Sequence, residues 1–296
     1  MFALKEKILK YFNKKRSIIA GVLLVLFLVF WFSLPSPLFK TPTSTVIEDI
    51  NGNLLGAKIA GDGQWRFANN NKVPEKFEKS IIYFEDEYFY YHLGFNPISF
   101  GRAIIQNIKS RKIESGGSTL SMQVIRLSRN GKSRTIFEKI VEVILATRME
   151  LTYSKKEILA LYASNAPFGG NVVGLDAASW RYFGRNPDKL SWAESATLAV
   201  LPNAPSLIFP GKNQKKLLLK RNRLLDKLNK EKVIDDATCE LAKSEPLPGK
   251  PYPLPHFAPH LIDLAIKDGY SGQRTKTTIN FDLQNRINEI VEAHHQ

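Results

Sequence analysis

The stretch RTIFEKIVEVILATRMEL, residues 134–151, is apolar around most of the circumference that a 3.6-residue period generates, so it reads as a helix buried on most sides. Three charges interrupt it: Glu138, Lys139 and Glu142. Glu138 and Glu142 fall one turn apart on one face, a like-charge pair that costs roughly 0.2–0.5 kcal/mol even when exposed. A carboxylate taken inside costs far more unless it is paired or protonated. Two readings stand side by side: a surface pair neutralised by Lys139 and Arg134, or a carboxylate held inside for chemistry.

Working outward, the pattern from Pro74 onward stays helical. Ser154 with Glu157 and Ser191 with Glu194 both match the capping box, so helices start just after those serines. Gly184 followed by Pro187 closes the helix running through LDAASWRYF, and Pro202 and Pro205 close the one begun at Trp192. Residues 213–232 read as a further helix, strongly basic and so solvated or facing an anionic surface. Residues 41–70 carry short β-branched stretches broken by Asn-Gly and Gly-Asp-Gly, which predicts a small hairpin. The proline-rich EPLPGKPYPLP, residues 245–255, reads as a linker or a strap on the surface. From Thr275 the chain reads as a strand, a turn and an amphipathic helix, the beginning of a further domain. The fold class is mainly α.

The N-terminus is of a different kind. Lys5, Lys7, Lys10, Lys14, Lys15 and Arg16 stand against Glu6 in residues 1–16, and the uncharged run SIIAGVLLVLFLVFWFSL follows at 17–34. That run is close to the ~20 residues a helix needs to cross the hydrocarbon core, with Trp31 and Phe32 at its far interface. Positive charge before the span predicts a cytoplasmic N-terminus, with everything after Pro35 outside. No Ala-x-Ala follows, so the run reads as an anchor rather than a cleaved signal. Residues 35–244 then form the main domain, and 245–296 the linker and the start of the next.

With 296 residues, 44% of them hydrophobic, the chain can bury a substantial core and is no disordered tail. Its net charge of +14 points to an anionic partner: nucleic acid, membrane headgroups or a phosphorylated substrate. The single Cys239 excludes an intramolecular disulfide and a cysteine-built metal cluster.

Two further segments carry chemistry. In EDEYFYYH, residues 85–92, three acids adjoin an aromatic cluster and directly follow the apolar Ile81, Ile82, Tyr83 and Phe84. A carboxylate against an apolar wall has a raised pKa and works as an acid or base near neutral pH; a solvated acidic helix end is the plainer reading. In SGGSTLSMQ, residues 115–123, two glycines precede hydroxyl residues that open a helix, a backbone N–H site for phosphate, with Lys109, Arg111, Lys112, Arg126 and Arg129 as countercharge. It lacks the Gly-Lys-Ser/Thr end of a nucleotide-binding loop. Together with residues 134–151 these segments describe two separated carboxylates flanking a reacting bond, with a basic pocket for a phosphorylated leaving group.

At this point the sequence resembles the family 51 peptidoglycan glycosyltransferases. EDEYFYYHLG is similar to their first motif and GGSTLSMQ to their second. The stretch from Lys139 to Asn165 is similar to the third, and GLDAASWRYFG and LAVLPNAPS to the fourth and fifth. Met122-Gln123 and the loop NAPFGGN look most like the 1C type of class A penicillin-binding protein. Asn96 stands where many members have Asp, Met122 replaces a glutamine, Ala163 and Ser164 depart from the usual spacing before Asn165, and Glu138 occupies a position usually basic.

The resemblance implies a lysozyme-like, mostly helical domain behind one transmembrane helix in the bacterial cytoplasmic membrane, with a small β element near it, acting on lipid II. By motif, Glu85 would deprotonate the acceptor 4-hydroxyl, and Glu142 would be the second catalytic carboxylate near the donor pyrophosphate. Asp86, His92, Ser118, Thr119, Gln123, Arg126, Lys139, Arg148 and Asn165 match positions of the substrate site. The family often works with a divalent cation, magnesium or manganese, for which no ligand set can be read here. The implied partners are lipid II, the growing glycan, the membrane and cell-wall synthesis proteins, and not nucleic acid. No Ser-x-x-Lys or Lys-Thr-Gly occurs, so no transpeptidase activity is expected. Two alternatives remain at this stage: a membrane-anchored lytic enzyme, and a cell-wall scaffold that is inactive or depends on a partner. ISFGRAIIQNIKSRK, residues 98–112, with Phe100, Ile104 and Ile108 at one-turn spacing, fits an interfacial helix and a core helix equally.

Overall fold

The computed structural model describes residues 2–68, 71–98, 100–102, 105, 117–130 and 135–295. Ile104, Ile108, Lys109, Arg111, Lys112, Gly116 and Arg134, all used above, lie outside the described residues.

Helix α1 runs Phe2–Trp31. Its uncharged part begins at Ser17 and its apolar side chains, Leu23, Leu26 and Val29 among them, are exposed. The helix ends before the apolar run does, since Pro35 and Pro37 cannot continue it. From Ser17 to Trp31 it is about 22 Å long at ~1.5 Å per residue, against a hydrocarbon core of ~30 Å. Among the described residues no helix is long and apolar enough to cross a membrane. The run expected to be helical over 17–34 is therefore shorter by three residues.

The predicted hairpin is present as β1 (Thr45–Glu48) against β2 (Leu54–Lys58), antiparallel. Its turn is held by Asp49, whose carboxylate accepts from the amides of Asn51 at 2.8 Å and Asn53 at 2.7 Å, while Gly52 takes φ +82°. Strand alternation gives this hairpin two jobs. Val46 and Leu54 face the main core, whereas Ile47 and Leu55 face a second, smaller core with Ile262 and Ala265. The second core comes from the C-terminal segment, where β6 (Arg274–Lys276) pairs parallel with β1, and α10 (Pro259–Lys267) packs on both strands of the hairpin. Residues past the proline strap thus return to the first strand of the chain. Helix α11 (Phe281–His295) completes this unit through Phe281, whose ring meets Phe257 edge-on at 4.8 Å.

The main body is helical. In chain order it comprises α2 (Glu75–Glu85), α3 (Leu120–Ser128), α4 (Ile136–Glu150), α5 (Lys155–Asn165), α6 (Leu175–Phe183), α7 (Trp192–Val200), α8 (Gln214–Lys230) and α9 (Asp236–Ser244). A second sheet has the order β3 (Trp65–Arg66), β5 (Val172–Val173), β4 (Pro167–Gly169), the last two lying in the connection between α5 and α6. Both predicted capping boxes form, at Ser154 and Ser191, and Gly184 ends α6 in the left-handed conformation. The small residues of α7, with Ala193, Ala196 and Ala199 buried, let α2 and α8 pack closely on it.

Helix α8, expected to be solvated or to face an anionic surface, does expose a basic face, and it also buries the other one. Leu217, Leu224, Leu225 and Leu228 form a buried stripe, and Arg221 is fully buried with them. Its guanidinium donates to the Lys243 and Glu245 carbonyls at 2.8 and 2.6 Å, the orphaned acceptors at the end of α9. A buried arginine is tolerated because helix C-termini supply partial negative charge.

Candidate active site

Glu85 is the last residue of α2, and the chain turns sharply at Asp86. Asp86 is buried and uses its carboxylate as an organiser: it accepts from the Leu120 amide at 2.9 Å and from His92 Nε2 at 3.0 Å. The first bond fixes the start of α3 against the end of α2. Gln123, one turn into α3, then reaches Glu85 and donates from Nε2 to Oε2 at 2.8 Å. Burial pushes the Glu85 carboxyl up, with the Asp86 charge adding to the effect and Gln123, Lys220 and Asn203 opposing it. Glu85 is therefore a carboxylate of enhanced basicity beside an apolar wall.

Glu142, on the buried face of α4, is in the opposite state. Arg126 grips it with two bonds, Nε to Oε1 at 2.7 Å and a terminal nitrogen to Oε2 at 2.9 Å, and Lys139 Nζ lies 3.5 Å from Oε2. Burial alone would raise its pKa; the Arg126 bond and charge, with Lys139, outweigh burial and hold the carboxyl below the usual range. Glu142 is ionised at neutral pH and has no proton to give. The Ser118 hydroxyl accepts from both Arg126 and Lys139, so serine, arginine and lysine converge on one point.

The like-charge pair of the sequence is resolved by separate partners. Glu138 is bonded to Arg129 at 2.8 Å and Glu142 to Arg126. Lys139 lies within ion-pair distance of Glu142, as the surface reading expects, while Arg134 lies outside the described residues; Arg129, assigned above to phosphate, is engaged with Glu138. The five side chains Arg126, Arg129, Lys139, Glu138 and Glu142 leave one formal positive charge over.

Arg126, Glu138, Lys139 and Glu142 line a cleft of about 570 Å³ whose wall is apolar, with Phe95, Phe100, Ile140 and Val143; Glu85, Gln123 and Ser118 are not among its lining residues. Helix α4 continues that surface outward with Ile136, Phe137 and Ile144 exposed.

Three predicted site residues lie elsewhere. Thr119 is buried; its hydroxyl donates to the Gly94 carbonyl at 2.6 Å and accepts from the Met122 amide, so it caps α3 rather than facing the cleft. Arg148 points to the N-terminal helix, donating to the Trp31 carbonyl at 2.8 Å and stacking 4.3 Å from the Trp31 ring centroid. Asn165 closes α5 on its own Leu161 carbonyl. Each matches a motif position, and each holds the framework.

Gly94 shows how tight that framework is. It has φ +84°, and a Cβ there would lie 2.6 Å from the Ala146 carbonyl carbon of α4. Gly94→Ala is expected to cost about 3 kcal/mol from backbone conformation and overpacking combined, read as a lowered melting temperature.

Two residues escaped the sequence reading. Lys220 of α8 bonds Asn203 Oδ1 at 2.6 Å and acts on Glu85 electrostatically; burial lowers its pKa and the Glu85 charge resists that. The available signal was Lys220's place three residues after Leu217 and four before Leu224, on the apolar stripe. Glu150, whose side chain is 2% exposed, binds Lys155 at 2.8 Å, and Lys155 donates to the His92 carbonyl at 2.7 Å. That pair supports the Asp86–His92 contact from behind.

The divalent cation finds no donor set: among the described residues no group of three or more His, Cys, Asp or Glu is placed for a metal ion. Both Glu142 oxygens already face cations, so we derive no step through a metal.

A buried, basic carboxylate at the end of α2 and an ion-paired carboxylate in a cationic, apolar-walled cleft are parts that a glycosyl-transfer site uses. The sequence model of the family described as Transglycosylase matches residues 52–229, and the chain belongs to that family. It is similar to penicillin-binding protein 1C of Escherichia coli (strain K12), 34% identical over 278 residues, which is 93% of this chain and 36% of that protein. Penicillin-binding protein 1A of Aquifex aeolicus (strain VF5) is 30% identical, covering 91% of this chain and 39% of its own. A crystal structure of penicillin-binding protein 1A from Haemophilus influenzae aligns with TM-score 0.39 and 18% identity over 77% of this chain and 24% of that one. The chain thus spans well under half the length of the curated relatives it matches.

Proposed function

We propose that this chain polymerises lipid II into β-1,4-linked glycan with inversion, releasing undecaprenyl pyrophosphate. The observation that carries the reading is the opposite electrostatic state of the two glutamates. Glu85, basic through burial, takes the proton of the acceptor 4-hydroxyl as that oxygen bonds the donor's anomeric carbon. The bond from that carbon to the pyrophosphate oxygen breaks, and its electron pair leaves with the pyrophosphate. Arg126, Lys139 and the Ser118 hydroxyl receive the growing charge, so no acid is required. Glu142 is then an orienting anion that keeps two cations aimed at the leaving group. The apolar cleft wall fits the lipid next to its phosphates. A hydrolase of neutral glycan has no use for Arg126 and Lys139, which favours transfer over lysis.

The membrane assignment belongs to the same proposal. The positive residues 1–16 stay in the cytoplasm, 17–34 is the anchor in the bacterial cytoplasmic membrane, and 35–244 is the transferase domain outside it. Residues 245–296 are the linker and the start of a transpeptidase domain. The exposed apolar sides of α1 and α4, joined at Trp31 and Arg148, support a shared lipid-facing surface. Cell-wall synthesis proteins are its partners.

The test is polymerisation of labelled lipid II by the full chain in detergent, with Glu85→Gln beside it. Long glycan from the wild type and none from the variant is expected. Lipid II binding without polymer would replace the reading by that of a scaffold, and cleavage of preformed glycan by that of a lytic enzyme.

A further inference from the structure

Glu85 has one oxygen accounted for and one not. Oε2 accepts from Gln123, whereas Oε1 is fully buried and has no hydrogen-bond partner. A second buried orphan belongs to the same neighbourhood: the hydroxyl of Tyr162, on α5, which likewise has no partner in the protein. Tyr162 is 1% exposed, and the Glu85 charge acts on its hydroxyl. Helix α5 packs on α3, the helix that supplies Gln123. The two orphans are chemically complementary. A carboxylate oxygen only accepts, and a phenol kept neutral always has a proton to donate. Burial, with the Glu85 charge second, holds the phenol well above its usual range, so it stays a donor at every pH at which the enzyme works. Buried polar atoms are nearly always satisfied, and one buried water satisfies two such groups at once.

We propose that Tyr162 is a positioning residue for Glu85, its hydroxyl donating through a single buried water to Oε1. The assignment rests on Glu85 being the base. With Gln123 on one oxygen and the Tyr162 relay on the other, the carboxylate plane is held from both ends. The ionised form is favoured against the burial that opposes it. The other groups that face this site are Asp86 at the turn, Lys220 and Asn203 from the α8 side, and Arg126 from α3. Of these, Lys220, Asn203 and Arg126 favour the ionised carboxylate and Asp86 opposes it. Oε1 has no direct hydrogen bond from any of them.

The test uses the full chain with Tyr162→Phe, and also with 3-fluorotyrosine at position 162, a stronger donor. For polymerisation of labelled lipid II, Tyr162→Phe is expected to move the acid limb of kcat/KM upward by about one pH unit, a tenfold loss below both limbs. The rate recovers at high pH, and the fluorinated side chain moves the limb downward. Opposite displacements from two nearly isosteric side chains are not the mark of a structural role. Melting temperatures read the same coupling without catalysis. Tyr162→Phe should deepen the stability lost as pH rises through the folded-state pKa of Glu85, and that difference should vanish in a Glu85→Gln background. An unmoved limb with a uniformly higher melting temperature would mean a true orphan hydroxyl and would overturn the proposal. Full turnover by Glu85→Gln would overturn the base assignment instead, leaving the melting comparison to decide on Tyr162.

Discussion

Glu85→Gln is expected to lower lipid II polymerisation by about 10²–10⁴-fold, the range of a positioned general base, and to raise the melting temperature at pH 8. The second effect follows from the first. The folded-state pKa of Glu85 is raised, chiefly by burial. Its contribution to stability is thus complete below the unfolded carboxyl pKa and is lost as pH climbs through the folded value. At pH 8 the wild type holds a buried charge that glutamine does not carry. At pH 4 both side chains are neutral, and the two proteins should melt together. Each 1 kcal/mol recovered corresponds to about 2–4 °C for a domain of this size. A variant that loses activity and gains no stability above pH 7 would show that Glu85 is not strained by burial, and the basis of its basicity would be gone.

Arg126→Ala should do the reverse on stability and still abolish most turnover. It removes both strong bonds to Glu142 and leaves a nearly buried carboxylate with only Lys139, 3.5 Å away. Breaking one side of such a pair costs about 3 kcal/mol, because the remaining charge stays desolvated. The loss of a cation aimed at the leaving group costs a further factor of about 10²–10³ in kcat. Glu142 has a depressed folded pKa, so its pairing stabilises the protein above the unfolded pKa and is lost as pH falls through the folded value. The wild type should therefore lose more stability than Arg126→Ala on acidification from pH 7 to pH 3. Adding Glu142→Gln to Arg126→Ala should restore much of the melting temperature and none of the activity. Recovery of turnover in that double variant would show that Arg126 serves only to neutralise Glu142.

These contrasts locate the boundary between local and non-local information. The capping boxes at Ser154 and Ser191, the Gly184 helix end, and the Asn-Gly turn after Asp49 were legible because each is settled within about four residues. The motif order likewise made Glu85 and Glu142 recognisable as a pair. Their charge states were not legible, since these depend on Gln123, Arg126 and Lys220, residues 38, 16 and more than a hundred positions away. Thr119, Arg148 and Asn165 carry the same lesson, because a motif position records that a side chain is needed without saying whether it meets substrate or framework. The apolar run extends to Leu34, but the helix ends at Trp31, ahead of Pro35 and Pro37.

The sequence by itself determined the helical succession, the basic N-terminal apolar run, the family and the choice of Glu85 and Glu142 as the candidate carboxylates. Hydrophobic period and capping are short-range properties of the chain. Only the tertiary structure decided which glutamate is basic and which is ion-paired, and that Lys220 acts on Glu85. It also decided that the hairpin at Thr45 joins the C-terminal segment through β6. Desolvation and Coulomb forces act through space, and their strength is set by what the packed core excludes, which no stretch of residues contains on its own.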